Sequence, residues 1–336
     1  MRAVPLSCVF GLAIGVICST ATAQVGPALL LKPWEDDSVA ELSVGALFEP
    51  QASLRNNGDV DARVSLYESA GRARVSNEAG DRWRLAFGYE MNYLQTDFRG
   101  QVDGLPVKLD GHLADQKFFF GARLGEWEQW TLDAGGGFGF SYLGTDDGID
   151  SDDFVEAHGF YAVADLIASR KLDESSAIRI ILDYDGNRSI LPDVPLPSVT
   201  YSLRVDETFN VSIGLPYSVL VWKPDGYWSV EIEYVLPTSA NVTVGYEIVE
   251  DVKLFAAYQN VLNAYKINDD LGRRFFEQMR GEVGLTWRAC NAFSLTIAGG
   301  WAFQQDISLG WDARDLDRVA KLGDAPYGRV AIALTF

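Results

Sequence analysis

The chain alternates apolar and polar residues through most of its length. In the stretch RWRLAFGYEMNYL, Trp83, Leu85 and Phe87 share one face, whereas Arg84 and Glu90 lie on the other. The same period of two recurs in WTLDAGGGFGFSY, YWSVEIEYVL and AFSLTIAGGWAF. Because successive side chains of a β-strand point to opposite faces, this pattern predicts a sheet with one apolar and one polar face.

Two architectures satisfy such a pattern. A soluble β-sandwich buries its apolar faces between two sheets, whereas a closed transmembrane barrel turns them outward to lipid and keeps polar residues in its lumen. Three features favour the antiparallel transmembrane barrel. The apolar face is large and has Trp and Tyr near the strand ends, the other face carries isolated charges of both signs between glycines, and short connections alternate with long ones.

The connections between the predicted strands fall into two sets. The short turns are expected at 78–81, 125–129, 171–175, 205–208, 223–226, 249–251 and 289–291. The longer connections are expected near 97–112, 144–153, 187–195, 262–274 and 305–326. If the C-terminus is periplasmic, the short turns are all periplasmic and the long loops are all extracellular, as in transmembrane β-barrels of the outer-membrane type. Counting strand-like segments from Ala40 to Phe336 gives about sixteen strands, or about 12 to 14 if short segments are merged.

The first residues have the form of a secretory signal peptide. Arg2 supplies a positive start, residues 9–18 are an apolar run, and Ala21-Thr22-Ala23 provides a cleavage site with small residues. The apolar run is too short to cross a bilayer as a helix. We therefore predict a cleaved signal peptide at 1–23, a periplasmic lead-in at 24–39 and a barrel at 40–336.

The charge of the exported chain excludes one class of partner. Beyond the signal peptide there are 27 Lys and Arg, one fewer than the 28 of the whole chain, against 47 Asp and Glu, a net charge of about −20. Binding to nucleic acid requires a basic surface, so no nucleic-acid partner is expected. Cys290 is the one cysteine left beyond the signal peptide, so the fold cannot depend on an intrachain disulfide.

The alternation continues to the last residue of the sequence. In YGRVAIALTF, Val330, Ile332, Leu334 and Phe336 fall on one face. This ending resembles the C-terminal signature of bacterial outer-membrane β-barrel proteins. The resemblance implies that the barrel-assembly machinery reads the last strand, with Phe336 as the assembly signal. It also implies a Gram-negative outer-membrane location among lipid and lipopolysaccharide, and it is compatible with a homo-oligomer.

Charged residues on the polar faces are the candidate functional residues. In a wide barrel, opposing acidic and basic walls orient polar solutes, which predicts a passive or weakly selective channel for small polar solutes. In a narrow barrel the same charges pair across a filled lumen, which predicts a non-conducting structural or surface-binding barrel that acts through acidic outer loops. The candidate pore-lining residues are Arg84, Glu90, Arg123, Asp133, Arg179, Asp183, Glu231, Glu233, Arg280 and Glu282.

Signals of catalysis are sparse. Outer-membrane phospholipases place a catalytic His two residues before a Ser, a spacing that neither His112 nor His158 has. His112 is predicted to lie in an outer loop near Asp110 and Asp115, which resembles the Asp and His groups of outer-membrane proteases only faintly. We therefore expect no enzymatic activity and no cofactor, and a barrel-embedded hydrolase is the third hypothesis.

An acidic segment, GTDDGIDSDDF, offers candidate ligands for a divalent cation. Asp146, Asp147 and Asp150 supply the oxygen ligands that Ca²⁺ prefers, but their spacing does not match a calcium loop with its terminal bidentate Glu. A solvated outer loop, linked to neighbouring lipopolysaccharide through divalent ions, is the simpler interpretation.

Overall fold

The computed structural model describes residues 40–53, 60–76, 83–102, 105–145, 158–206, 208–215, 217–235, 239–268 and 272–336. The predicted signal peptide, the periplasmic lead-in and the turn at 78–81 lie outside these residues. Within them, no helix is long and apolar enough to cross a membrane.

The described residues form seventeen β-strands. In chain order they are β1 (Ala40–Ser53), β2 (Val60–Ser76), β3 (Trp83–Val102), β4 (Leu105–Trp127), β5 (Trp130–Thr145), β6 (His158–Lys171), β7 (Ser176–Asp185), β8 (Leu196–Arg204), β9 (Phe209–Gly214), β10 (Tyr217–Trp222), β11 (Trp228–Val235), β12 (Ser239–Val249), β13 (Val252–Asn268), β14 (Gly272–Cys290), β15 (Phe293–Gly310), β16 (Leu316–Leu322) and β17 (Ala325–Thr335).

Sixteen of the described strands close into an antiparallel barrel. Each strand from β1 to β15 pairs with the next along the chain, β15 then pairs with β17, and β17 pairs with β1. The backbones of Ala40 and Phe336 exchange two hydrogen bonds, of 2.8 and 3.2 Å, at the seam. The remaining described strand, β16, is the extra one, and it pairs with β15. The prediction of a closed antiparallel barrel of about sixteen strands is confirmed.

The alternation places apolar side chains on the outside of the barrel. On β1, Leu42, Val44 and Phe48 are 41%, 49% and 51% exposed, whereas Leu47 and Glu49 are 3% and 0% exposed. A sandwich would bury the apolar face instead. An apolar outer surface on a closed barrel is the arrangement that lipid requires, because each strand of the ring pairs with a neighbour on both sides.

The predicted short turns that the structure describes lie at the end of the barrel that holds Ala40 and Phe336. They join β4 to β5, β6 to β7, β8 to β9, β10 to β11, β12 to β13 and β14 to β15. Three have a local cause, because Asp173, Asp206 and Asp225 each accept hydrogen bonds from the backbone N–H groups two and three residues on. The predicted set of short turns at one end is confirmed for the described residues.

At the opposite end, strands replace three of the expected loops. The described parts of 97–112 belong to β3 and β4, those of 262–274 belong to β13 and β14, and 305–326 contains all of β16. Residues 261–266 are all buried, on both faces of their strand. A strand buried on both faces shows no alternation of apolar and polar residues, so the sequence pattern did not reveal it.

The barrel wall varies in height around its circumference. β4 has 23 residues and β14 has 19, whereas β9 and β10 have 6 each. At about 3.4 Å per residue and a tilt of about 40°, six residues rise about 16 Å, which is less than an apolar band of about 25 Å. One side of the barrel is therefore shorter than the apolar layer that it faces.

Candidate functional site

Part of the barrel sheet leaves the wall at the end opposite the termini. We call this part the crossing sheet, and it comprises residues 261–268, 272–278, 305–310 and 316–322. It begins where β14 and β15 lose register between Glu277 and Met279, and where Gln304 adopts a φ of 48°. An extra residue in one strand bends a sheet, and here the bend turns the outer strand ends into the lumen.

The free edge of the crossing sheet docks on the opposite wall. In the closed ring of sixteen strands, β5 and β13 are eight strands apart, so a contact between them spans the barrel. The backbone N–H of Lys266 donates to Ser141 Oγ at 3.0 Å, and Lys266 Nζ donates to the Phe160 carbonyl at 3.3 Å. Gly159 lies so close to Lys266 that a Cβ at this position would overlap the Lys266 carbonyl. The crossing sheet therefore bridges the lumen.

One face of the crossing sheet packs against an apolar core inside the barrel. Tyr265 and Phe276 of this sheet are 1% and 0% exposed. The residues that form the core with them are Leu47, Ala52, Val64, Leu66, Leu94, Leu113, Ala302, Ile307, Leu322, Ala325 and Tyr327. Large apolar side chains therefore fill the lumen between β1–β4 and β13–β17.

A buried polar cluster holds the bend at the base of the crossing sheet. Glu49 of β1 accepts hydrogen bonds from Gln278 Nε2 at 2.6 Å and from Gln305 Nε2 at 3.0 Å. Gln278 Nε2 also contacts Gln305 Oε1 at 2.9 Å, and Arg280 donates to Gln278 and Gln259. Gln278 and Gln305 lie in the bulge itself, so Glu49 fixes the angle at which the sheet turns inward.

The connection between β7 and β8, residues 186–195, also folds into the lumen, and we call it the inner loop. Asn187 Nδ2 donates to the Ala264 carbonyl at 3.0 Å, which pairs a second backbone group on the free edge of the crossing sheet. The same amide donates to Asp115 Oδ1 at 3.0 Å. Leu191 and Asp193 have φ values of 47° and 61°, a left-handed conformation that such residues adopt only when their surroundings enforce it.

Arg273 joins the inner loop to the crossing sheet. Its guanidinium donates to the Gly186 carbonyl at 2.5 Å, to Asp193 Oδ2 at 3.1 Å and to the Trp311 carbonyl at 3.0 Å, and it lies 5.1 Å from the centre of the Trp311 ring. The Ala313 N–H donates to the Ser189 carbonyl. The inner loop is therefore held between the barrel wall, the crossing sheet and residues 311–315.

Asp312 in the connection to β16 organises this contact. Its carboxylate accepts hydrogen bonds from the Arg314 side chain and backbone and from the Leu191 N–H. Donation by the Arg314 side chain is the main reason that the pKa of Asp312 lies below its usual range. The group is therefore ionised at any pH near neutrality.

A contrasting inner surface lies on β8–β12. The small polar side chains of this surface lie on β8, β9, β11 and β12 and are Ser198, Thr200, Ser202, Ser212, Ser229, Ser239, Asn241 and Thr243. On β10 the same face carries Tyr217, Val219 and Val221. Among the described residues, Ser198 Oγ, Ser229 Oγ and both amide atoms of Asn241 are buried without a hydrogen-bond partner. Buried polar atoms of this kind are positions for bound water or for a polar solute.

The predicted pore-lining residues lie on the strands expected, and most are paired. Arg84 is on β3, but its side chain is outside the described part. Glu90 lies opposite Lys117 in the register of β3 and β4, and Arg179 is on the inward-facing side of β7. The other seven form the pairs Arg123–Asp133 at 3.0 Å, Asp183–Arg188, Glu231–Lys253 at 3.1 Å, Glu233–Tyr217 at 3.2 Å, Arg280–Gln259 and Glu282–Arg329 at 2.5 Å.

The residues that close the lumen were not among those candidates. Glu49 and Lys117 obey the alternation of their strands, so extending that pattern would have found them. Asn187, Lys266 and Arg273 give no such signal, because they lie in segments expected to be outer loops. Their importance comes from contacts between residues as distant in sequence as Asn187 and Ala264.

The structure places the candidate residues His112 and Asp115 apart from each other. His112 is in β4 rather than in a loop, and its Nδ1 lies 2.6 Å from the Tyr93 hydroxyl. Asp115, three residues further along the same strand, faces the lumen and accepts hydrogen bonds from Ser141 and Tyr161 at 2.7 Å. His112 and Asp115 therefore lie on opposite faces of the strand. The acidic residues Asp146, Asp147 and Asp150 lie outside the described residues.

Comparisons with known proteins found one family model and a set of solved structures. A family model described as a domain of unknown function, DUF6268, matches residues 201–325. No curated protein matches the sequence. Similar solved structures include the deltaS2S3 mutant of TodX, a monoaromatic hydrocarbon channel, with 10% identity, 93% of each chain covered and a TM-score of 0.49.

Two further structures extend this comparison. The toluene transporter TodX of P. putida aligns with 10% identity over 92% of each chain, at a TM-score of 0.47. A FadL homologue of Pseudomonas aeruginosa aligns with 11% identity over 90% of each chain, at a TM-score of 0.39. At these identities and TM-scores the alignments carry no argument about this chain, and its barrel architecture follows from its own strand pairing. The chain has the fold of the outer-membrane β-barrel proteins.

Proposed function

We propose that this protein is an outer-membrane channel for small polar solutes, closed at its outer end in the arrangement described above. The proposal is carried by the way the crossing sheet meets the opposite wall. The free edge of β13 is held there by the side chains of Asn187 and Ser141 and by the Lys266 ammonium, and not by pairing with another strand. Each such hydrogen bond contributes about 0.5–1.5 kcal/mol, so the contact can open without unfolding the barrel.

The inner surface of β8–β12 supports a polar rather than an apolar solute. Its hydroxyl and amide side chains would leave a hydrocarbon, such as the one named for TodX, facing unpaired polar atoms. Water or a small polar molecule satisfies the same atoms. A transport role also fits the separate placement of His112 and Asp115, and we propose no catalytic role for them.

The second candidate function is a non-conducting barrel, and the apolar core between β1–β4 and β13–β17 favours it. Under that hypothesis the crossing sheet is a permanent part of the fold. Its acidic outer loops would bind lipopolysaccharide through divalent ions, and the barrel would have no solute pathway.

A wedge in the docking contact distinguishes the two functions. The Gly159→Leu variant places a side chain where the Lys266 backbone lies, so it should hold the crossing sheet away from the wall. Gly328→Leu is the matched control, because Gly328 faces outward and has no atom within 4 Å of an added Cβ. In planar bilayers we expect long-lived conductance steps from the Gly159→Leu variant and mostly closed records from the wild type and the control.

The result that contradicts the channel is a folded Gly159→Leu barrel that never conducts. Resistance to unfolding in detergent before heating establishes that the variant is folded. If Gly159→Leu does not fold, the double variant Ser141→Ala with Asn187→Ala removes two docking hydrogen bonds without adding volume. Silence of that folded variant would favour the non-conducting barrel.

A further inference from the structure

Two carboxyl groups face each other inside the barrel beneath the inner loop. Asp165 on β6 lies directly opposite Asp183 on β7 in the strand register, and the two residues are 5% and 2% exposed. Side chains in such a pair begin about 5 Å apart. Two ionised carboxylates at that separation repel each other, and burial strengthens the repulsion.

The hydrogen bonds of this pair are incomplete. Asp183 Oδ2 accepts a hydrogen bond from Arg188 of the inner loop. Among the described residues, neither oxygen of Asp165 has a hydrogen-bond partner, and Asp183 Oδ1 has none either. Three buried acceptor atoms therefore lie together without a donor, an arrangement that native proteins rarely leave uncompensated.

The cations around the pair are committed elsewhere. Lys117 of β4 binds Asp185 at 2.9 Å and lies opposite Glu90 of β3. Arg188 uses its remaining donors on the carbonyls of Asp183, Leu191 and Val194.

The other charged groups nearby are also engaged. Arg273 of β14 binds Asp193 and backbone carbonyls, and Lys266 of β13 binds the Phe160 carbonyl. Asp115 of β4 accepts hydrogen bonds from Ser141, Tyr161 and Asn187. No described cation is therefore placed against Asp165.

A buried carboxylate without a counter-charge costs several kcal/mol, and taking up a proton removes that cost. We propose that Asp165 and Asp183 form a proton-binding site in which Asp165 is the carboxylic acid and donates its one proton to Asp183 Oδ1. Asp183 then keeps a single negative charge, which Arg188 of the inner loop neutralises. The shared proton pairs one Asp165 oxygen with Asp183 Oδ1, and the other Asp165 oxygen becomes a neutral carbonyl, which is less costly to bury than a carboxylate oxygen.

The site links proton binding to the inner loop through Arg188. When the proton passes to lumenal water at higher pH, two adjacent carboxylates compete for the same guanidinium. The fixed geometry of Arg188 over the Leu191 and Val194 carbonyls is then lost, and the loop loosens. Protonation therefore favours the closed arrangement, and alkaline pH weakens it.

The Asp165→Asn variant mimics the protonated acid, because its amide can donate to Asp183 Oδ1 at any pH. Infrared spectra of the wild-type barrel at neutral pH should contain a carboxylic-acid C=O band that Asp165→Asn lacks. Because an unfolded Asp releases its proton above about pH 4, unfolding of the wild type should become easier as the pH rises from about 4 until the folded site has also lost its proton, whereas Asp165→Asn should lose this dependence. Asp133→Asn is the matched control, since it removes a buried lumenal carboxylate that has its own partner, Arg123, and should keep both the band and the dependence.

Accessibility of the inner loop provides a second measurement that does not depend on conductance. Ser189 lies in the inner loop and is buried, so a cysteine placed there by Ser189→Cys reacts with a thiol reagent only when the loop is released. The reporter chain has Cys8, Cys18 and Cys290 replaced by Ser, so that no other thiol is labelled. The reference is the labelling rate of the exposed Cys290 in a chain that keeps this cysteine and has Ser189. The ratio of the Ser189→Cys rate to this reference rate should rise by up to about tenfold per pH unit. In Asp165→Asn the same ratio should not change with pH.

A missing carboxylic-acid band together with a pH-independent labelling ratio would overturn the proton site. Restoration of stability by added Na⁺, with no such band, would also overturn it and assign a cation to the carboxyl pair. Neither readout requires solute passage. A silent channel with an intact band therefore contradicts the proposed function alone.

Discussion

The two sides of the barrel interior differ although the same alternation builds both walls. On the side of β1–β4 and β13–β17, inward positions carry Leu47, Leu66, Leu94 and Tyr327, and the crossing sheet packs on them as a helix or sheet packs in a soluble core. On the side of β8–β12, the inward positions of four of the five strands carry several Ser, Thr and Asn residues, and the strands are short. The first side is stabilised by packing, and the second mainly by its hydrogen-bonded ladder and the surrounding lipid.

This difference shows how one fold can combine a half packed with apolar side chains and a half whose interior carries many small polar ones. Outward-facing residues are apolar on both sides because lipid imposes the same condition everywhere. The chemistry of the inward-facing residues depends on what they contact in the lumen, and the crossing sheet packs on one side of the lumen. Four predictions test that division, in order of decreasing effect.

The largest effect is expected from Phe276→Ala. Phe276 is fully buried in the apolar core, and truncating a buried Phe to Ala costs about 3–5 kcal/mol. Thr243→Ala on the polar side should cost within about 1 kcal/mol. Equilibrium unfolding in urea with lipid vesicles measures both, and equal losses would show that the two sides are stabilised alike.

The next largest effect is expected from Glu49→Ala at the bend. The substitution leaves the buried amides of Gln278 and Gln305 without their shared acceptor, and buried donors left unsatisfied in this way cost about 1–3 kcal/mol. Glu41→Ala on the same strand breaks the partly exposed pair with Arg72 and should cost within about 1 kcal/mol. A larger loss for Glu41→Ala in the same unfolding assay would contradict the role of Glu49.

A smaller, local effect is expected from Asn187→Ala. Its amide joins the inner loop to Asp115 and to the edge of the crossing sheet, and its loss should cost about 1 kcal/mol. Hydrogen exchange at the Lys266 N–H, which donates to Ser141 Oγ, should become faster, whereas exchange on β8–β12 should not change. Unchanged exchange at Lys266 would show that the inner loop does not hold the crossing sheet.

The smallest effect concerns a short turn and depends on pH. Asp173 accepts hydrogen bonds from the side chains and backbones of Ser176 and Ser175, which lower its pKa to about 2. Because the folded pKa lies below the unfolded value of about 3.9, this stabilisation is present above pH 4 and disappears as the pH falls towards 2. The stabilities of wild type and Asp173→Ala should therefore converge in acid, and a constant difference would exclude the ionised turn.

Much of the architecture could be predicted from the sequence, for a local reason. Alternation along β1 or β3 reflects the two faces of a single strand, and the turns at Asp173, Asp206 and Asp225 are closed by hydrogen bonds within three residues. The final strand, which pairs with β1, likewise alternates apolar and other residues up to Phe336. These features need only neighbours along the chain or a uniform surrounding of lipid.

The closure of the lumen was decided by the tertiary structure. Glu49 meets Gln305 across 256 positions, and Asn187 meets Ala264 across 77, so no local pattern identifies these contacts. Residues 261–266 of the crossing sheet are buried on both faces of their strand, which removes the alternation that marks a strand beside lipid. The sequence by itself determined that the chain closes into a barrel with an apolar exterior, because each strand reports its own two faces. What fills the interior depends on which distant side chains meet there, and only the folded barrel brings them together.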